Sequence, residues 1–136
     1  MNPAPLNRKK RVNKRSITME KNVNDNVIET KSLNFAVRIV KLYRYLNGRG
    51  CERDLSRQLL RCGTSIGANV AEGVKGQTRA DFNSKFNIAL KEANEALYWL
   101  KLLEATEYIT EKEFVSIYGD LREIISILIA IVKKTN

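Results

Sequence analysis

The sequence predicts an all-α protein, an antiparallel up-down-up-down four-helix bundle, and three observations carry that expectation. From Val23 onwards the chain has no proline and only scattered glycines. Apolar residues recur there at helical spacing, with no sustained strand alternation. Polar or glycine-bearing breaks divide the stretch into four segments, and short connections favour antiparallel neighbours.

The first helix is expected from about Asn24 to Leu46, ending at the Asn47-Gly48 pair, a helix stop signal. The second begins near Glu52 and ends between Gly73 and Gly76. The third opens at Thr78, with Asp81 placed as in a capping box, and runs to about Ala105. The fourth opens at Thr110, with Glu113 in the matching place, and runs to Lys133.

At about 100° per residue, Leu55, Leu59, Cys62, Ile66, Val70 and Gly73 form one stripe on the second helix. Phe82, Phe86, Ala89, Leu90, Ala93, Leu97 and Leu100 form another on the third. Both read as core. The fourth helix has a wider apolar face, Phe114, Ile117, Tyr118, Leu121, Ile124, Ile125, Leu128, Ile131 and Val132, more than one seam requires. Ile88, Trp99 and Leu102 lie away from the third helix's core stripe, and Leu33, Val37 and Val40 form a second patch on the first. Surplus apolar area marks a partner surface. It predicts a ring-like homo-oligomer with Val37, Ile88, Trp99, Leu102 and Ile127 at the contacts; the alternative is an irregular bundle that covers these residues itself.

A chain of 136 residues is long enough to bury one core without staples. Its net charge of +9 is unevenly spread: residues 1–21 carry +6 and the remainder +3. Residues 1–22 are therefore expected as a basic, disordered tail and 23–136 as the bundle domain. The tail either grips nucleic acid or is a solvated extension upstream of a start at Met19. No apolar run reaches the roughly 20 residues of a membrane span. No secretory signal is visible, so the expected compartment is the cytoplasm. With helix between Cys51 and Cys62, a rise of ~1.5 Å per residue puts them roughly 16 Å apart. That is beyond the reach of a disulfide. The chain has no histidine, so the two thiols cannot be completed into a common zinc site, and no metal or cofactor is expected.

The stretch RCGTSIGANVAEG, residues 61–73, raises the question of a phosphate loop. It matches neither G-x-x-x-x-G-K-[ST] nor a G-x-G-x-x-G that follows a strand. DLSRQLL before it continues in helical phase into Ile66 and Val70, so the glycines lie inside a helix. Each disfavours helix by about 1 kcal/mol relative to alanine. Gly63 and Gly67, with Ser56 and Val74, form a small-residue strip against which another helix can pack closely. Asn69 and Glu72 sit on the other margin of the core stripe, where either a bond to a neighbouring helix or a ligand contact would satisfy them.

RQLLRCGTSIGANVAEG, followed by DFNSKFNIALKEANEALYWL, resembles the four-helix-bundle proteins encoded within 23S rRNA intervening sequences of bacteria. Arg61, Ser65, Ile66, Asn69, Ala71, Glu72, Phe82, Ala89, Glu92, Glu95 and Trp99 fall on that family's pattern. Phe86 stands where the family often has leucine. KSLNFAVRIVKLYRYL also looks like the family's first helix, so the resemblance covers about residues 24–132. It implies an antiparallel four-helix bundle and a homopentamer, without an established function. The related accessory variability determinants of diversity-generating retroelements are basic pentameric barrels that bind nucleic acid and a reverse transcriptase.

Catalysis is not expected. Without histidine there is no Ser-His or Cys-His pair and no Glu-x-x-His motif. Glu92 and Glu95 have Lys91, Arg57 and Arg61 at hand as ion-pair partners. Nucleic-acid binding rests on Arg53, Arg57 and Arg61, four residues apart opposite the core stripe, and on Lys31, Arg38 and Lys41 of the first helix. Repeated in an assembly, such stripes neutralise phosphates. The alternatives are a solvated face with local acids such as Asp54, or an adaptor whose surface docks a protein. Stacking aromatics in flexible loops are missing, so sequence-specific single-strand reading is not expected.

Overall fold

In a computed structural model that describes residues 23–135, the chain forms four helices: α1 (Val23–Gly48), α2 (Arg53–Val74), α3 (Arg79–Ala105) and α4 (Glu111–Thr135). The basic tail expected over 1–22 lies outside the described residues. Capping chemistry sets two of the starts. Thr78 Oγ1 accepts from the Asp81 amide at 3.0 Å, which satisfies one of the free donors of α3. Thr110 and Glu113 make the reciprocal pair, the Thr110 amide donating to Glu113 Oε1 at 2.8 Å and the Glu113 amide to Thr110 Oγ1 at 3.1 Å.

The end of α1 differs from its expected form. Asn47 and Gly48 remain helical, and the left-handed residue is Gly50, at φ +75°. The Cys51 amide returns to the Leu46 carbonyl at 3.1 Å, closing the helix beyond the stop signal. Cys51 therefore lies in the connection before α2, and both cysteines are free and buried.

α2 packs between α1 and α3, and α4 closes the ring of four between α3 and α1. The diagonal pairs make no close backbone approach, which is the up-down-up-down arrangement. Ile28, Phe35, Ile39 and Leu46 of α1 are buried at helical spacing and meet the core stripes of the other three helices. α3 contributes small buried side chains, Ala89, Ala93 and Ala96, beside Phe86, Leu100 and Leu103. α4 buries Ile117, Leu121, Ile124, Leu128 and Ile131.

The wide apolar face of α4 is partly consumed by the bundle, since Phe114, Ile125 and Ile127 pack half-buried against the core. Trp99 does the same on α3, and Leu102 is half-buried. Val37, 46% exposed, and Ile88, 37% exposed, remain outside, as do Leu33, Val115 and Ile129.

Two seams flank α1. Toward α2 the contact is close. A Cβ on Gly63 would stand 2.8 Å from Ile39 Cγ1, and one on Gly67 would stand 3.3 Å from the Ser32 carbonyl oxygen. Ser32 and Ser56 are buried along this seam, the Ser32 hydroxyl bonded to the Glu29 carbonyl and the Ser56 hydroxyl to Asn47 Oδ1 and the Arg53 carbonyl. Toward α4 the contact is the least extensive of the four interhelical contacts.

Candidate nucleic-acid interface

The six cations expected to bind phosphate divide into two sets. Lys31, Arg38 and Arg61 join helices to one another. Lys31 Nζ reaches Glu123 Oε1 at 3.1 Å, from α1 to α4. Arg38 donates to Asp120 Oδ2 at 2.7 Å, to Ser116 Oγ at 2.9 Å and to the Ser116 carbonyl at 3.2 Å, also across α1–α4. Arg61 spans α2–α3, donating to Glu95 Oε2 at 2.8 Å and Glu92 Oε1 at 3.3 Å. Glu95 also accepts from the Trp99 indole at 3.3 Å. Partial desolvation pushes the Glu95 carboxyl up, but the hydrogen bonds from Arg61 and Trp99 outweigh it and hold the group below its ordinary value. Glu92 and Glu95 are thus one clamp with Arg61.

Lys41, Arg53 and Arg57 form the second set. They are exposed and make no ion pair among the described residues. Arg44, which the charge pattern did not single out, is likewise exposed, without a partner among the described residues. Lys41 and Arg44 lie in the last turns of α1, and Arg53 and Arg57 in the first turns of α2. Antiparallel packing brings all four to one end of the bundle. At that end Glu104 closes α3, Glu107 lies in the α3–α4 connection and Glu111 opens α4, so the basic charge collects on the α1–α2 side.

A network ties the two connections at this end together. Arg49 Nη1 donates to the Tyr108 carbonyl at 2.7 Å and to the Tyr45 hydroxyl at 3.0 Å, and its guanidinium lies over the Tyr45 ring, 5.5 Å from the centroid. The Tyr108 phenol donates to Glu52 Oε1 at 2.6 Å. That bond lowers the Glu52 carboxyl and raises the phenol. Beside the network, α1 and α4 part around a groove of about 550 Å³. Leu42, Ile109 and Ile117 line it, with Tyr45, Lys41, Lys112 and Arg38 around them. Tyr45 and Arg49 stand four residues apart, a spacing readable in the sequence, whereas the Arg49–Tyr108 and Tyr108–Glu52 contacts, and the place of Lys112 beside the groove, join segments far apart in the chain.

The remaining polar residues have structural partners. Glu72 pairs with Lys85 of α3 at 2.8 Å. Asn69 Nδ2 donates to the Ser65 carbonyl of its own helix at 2.8 Å, not to a neighbouring one. Burial pushes the Cys62 thiol up to about 12, which keeps it protonated and unreactive. No cluster of three or more metal-ligating side chains exists among the described residues. No helix there is long and apolar enough to cross a membrane.

Among solved structures, a protein of unknown function from the S23 ribosomal protein family of Bacteroides thetaiotaomicron is similar to this chain. The two are 55% identical over 82% of this chain and 99% of that one, with a TM-score of 0.79. No curated protein matches the chain. The pattern of the 23S rRNA-intervening sequence proteins matches residues 24–130, and the chain belongs to that family.

Proposed function

We propose that this is a non-enzymatic cytoplasmic protein which, assembled from several copies, binds RNA or DNA without strong sequence preference. The observation that carries the reading is the cluster Lys41, Arg44, Arg53 and Arg57, four cations at one end of the bundle without acid partners among the described residues. Each phosphate they neutralise releases condensed counterions, which favours binding at low salt and is indifferent to sequence. Assembly is supported by Leu33, Val37, Ile88 and Ile129, apolar side chains left exposed on three helices. A ring of copies multiplies the basic cluster, adding avidity to weak single contacts. Two free, buried thiols suit a reducing compartment.

The test compares the full chain with one starting at Met19, each with and without Lys41, Arg53 and Arg57 changed to alanine. Arg61 is spared because its loss would break the clamp to Glu92 and Glu95. Binding to single- and double-stranded probes is followed against salt. The shortened chain is expected to bind, and the triple change to reduce the salt slope by about 2–3. If removing the tail abolishes binding while the triple change does nothing, the bundle is a scaffold and its surface docks a protein instead.

A further inference from the structure

Tyr45 is an exposed aromatic that lines the same groove as Lys41 of the basic cluster, and its surroundings fit a planar ligand. One face of its ring carries the Arg49 guanidinium, and its hydroxyl accepts from the same side chain. Arg49 is held in turn by the Tyr108 carbonyl. The phenol is therefore fixed in place while remaining 43% exposed, so a ligand that stacks on it loses little side-chain entropy. The groove it lines has a floor of Ile109 and Ile117, both nearly inaccessible to solvent, and of half-buried Leu42. Its volume of about 550 Å³ lies within the range of sites that hold small organic groups.

The charges around this apolar floor are asymmetric. Lys41 comes from α1 and Lys112 from α4, both exposed and without acid partners among the described residues. Arg38 is occupied by Asp120 and Ser116. Glu113 is the opposing charge, with its carboxylate engaged by the Thr110 amide. A ligand that suits the groove is thus flat and apolar at its centre and anionic on both sides. A nucleobase between two phosphates has that form, and base-on-aromatic stacking beside cations is how single strands are gripped without sequence preference.

We infer that the α1–α4 groove takes one unstacked base of single-stranded RNA or DNA, its ring on Tyr45 and its flanking phosphates on Lys41 and Lys112. The inference rests on the nucleic-acid reading above and adds to it a site and a strand state. It predicts that the protein prefers single strands, since a paired base cannot leave its stack without a further unstacking penalty.

The experiment measures the affinity of the full chain for a 12-nucleotide oligo-dT and for an abasic strand of the same length, by fluorescence anisotropy at several salt concentrations. The base-bearing strand is expected to bind about 5- to 100-fold more tightly. Tyr45→Leu should erase that gap and leave the salt slope unchanged, while Tyr45→Phe should keep it. A crosslink from a 4-thiothymidine strand should map to the peptide that holds Tyr45 in the unaltered chain, which decides the matter even if Tyr45→Leu does not fold. Equal affinity for the two strands, or a crosslink elsewhere, overturns the base site and leaves nucleic-acid binding standing. Failure of both strands to bind overturns the two together.

Discussion

Along α1–α2 the helices approach closely at Gly63 and Gly67, with a smaller opening of about 400 Å³ beside Ser32, whereas along α1–α4 they are bridged by exposed ion pairs around a groove of about 550 Å³. The first seam gives up helix propensity at Gly63 and Gly67, roughly 2 kcal/mol in all. In return Ile39 lies directly on Gly63 and the α1 backbone at Ser32 directly on Gly67, so dispersion contacts and buried apolar area offset that loss. Outside the shared apolar core, the second seam is linked by Lys31–Glu123 and Arg38–Asp120, whose side chains are 37–58% exposed. Pairs of that kind contribute about 0–1 kcal/mol each and weaken with salt. One flank of α1 thus supplies cohesion and the other supplies access. A ligand groove can persist on the second because little of the fold's stability depends on closing it.

The sharpest way to break this contrast is to fill the close seam. Gly63→Leu with Gly67→Leu should destabilise the protein by about 1–3 kcal/mol per site through overpacking, visible as a lower thermal midpoint by circular dichroism. Gly63 should be the more sensitive position, because an added Cβ would stand 2.8–2.9 Å from both γ carbons of buried, β-branched Ile39, which is locked in its rotamer, whereas at Gly67 the contact is 3.3 Å. A double variant that melts at or above the original temperature would remove the packing account of both glycines.

A smaller effect is expected at the α2–α3 clamp. The Glu95 carboxyl lies below its ordinary 4.5, so its bonds to Arg61 and Trp99 stabilise the fold above that pH. The contribution is lost as pH falls through the lowered native value. Arg61→Ala should cost about 1 kcal/mol or less at neutral pH, since the arginine is half exposed and screened. It should also flatten the fall in thermal midpoint below about pH 4.5. An unchanged acid profile in the variant would detach Glu95 from the acid response.

The least change is expected from Arg38→Ala across the open seam. The loss should stay under about 1 kcal/mol and vanish in high salt, as for other exposed pairs. A loss comparable to that of the glycine pair would mean that the two seams carry the fold equally.

Much of this architecture is legible residue by residue. Thr78 and Thr110 announce helix starts because capping is settled within four residues. The stripe Leu59, Cys62, Ile66, Val70 follows from its indices alone, since about 100° per residue assigns each side chain a direction around its own axis. The small strip at Gly63 and Gly67 is legible for the same reason. Its partner is not: that Ile39 and Ser32 lie opposite depends on how α1 is turned and offset against α2, which no local pattern specifies. The cations are subject to the same limit. Arg61 and Arg57 look alike in sequence, yet Arg61 reaches carboxylates 31 and 34 residues away and Arg57 reaches none among the described residues. Helical phase is a property of one segment, and by itself it determined the four helices and their buried faces. Which charges remained free, where α1 and α4 left a groove, and that Gly50 rather than Gly48 turned the chain were decided by the packing of segments far apart in the chain.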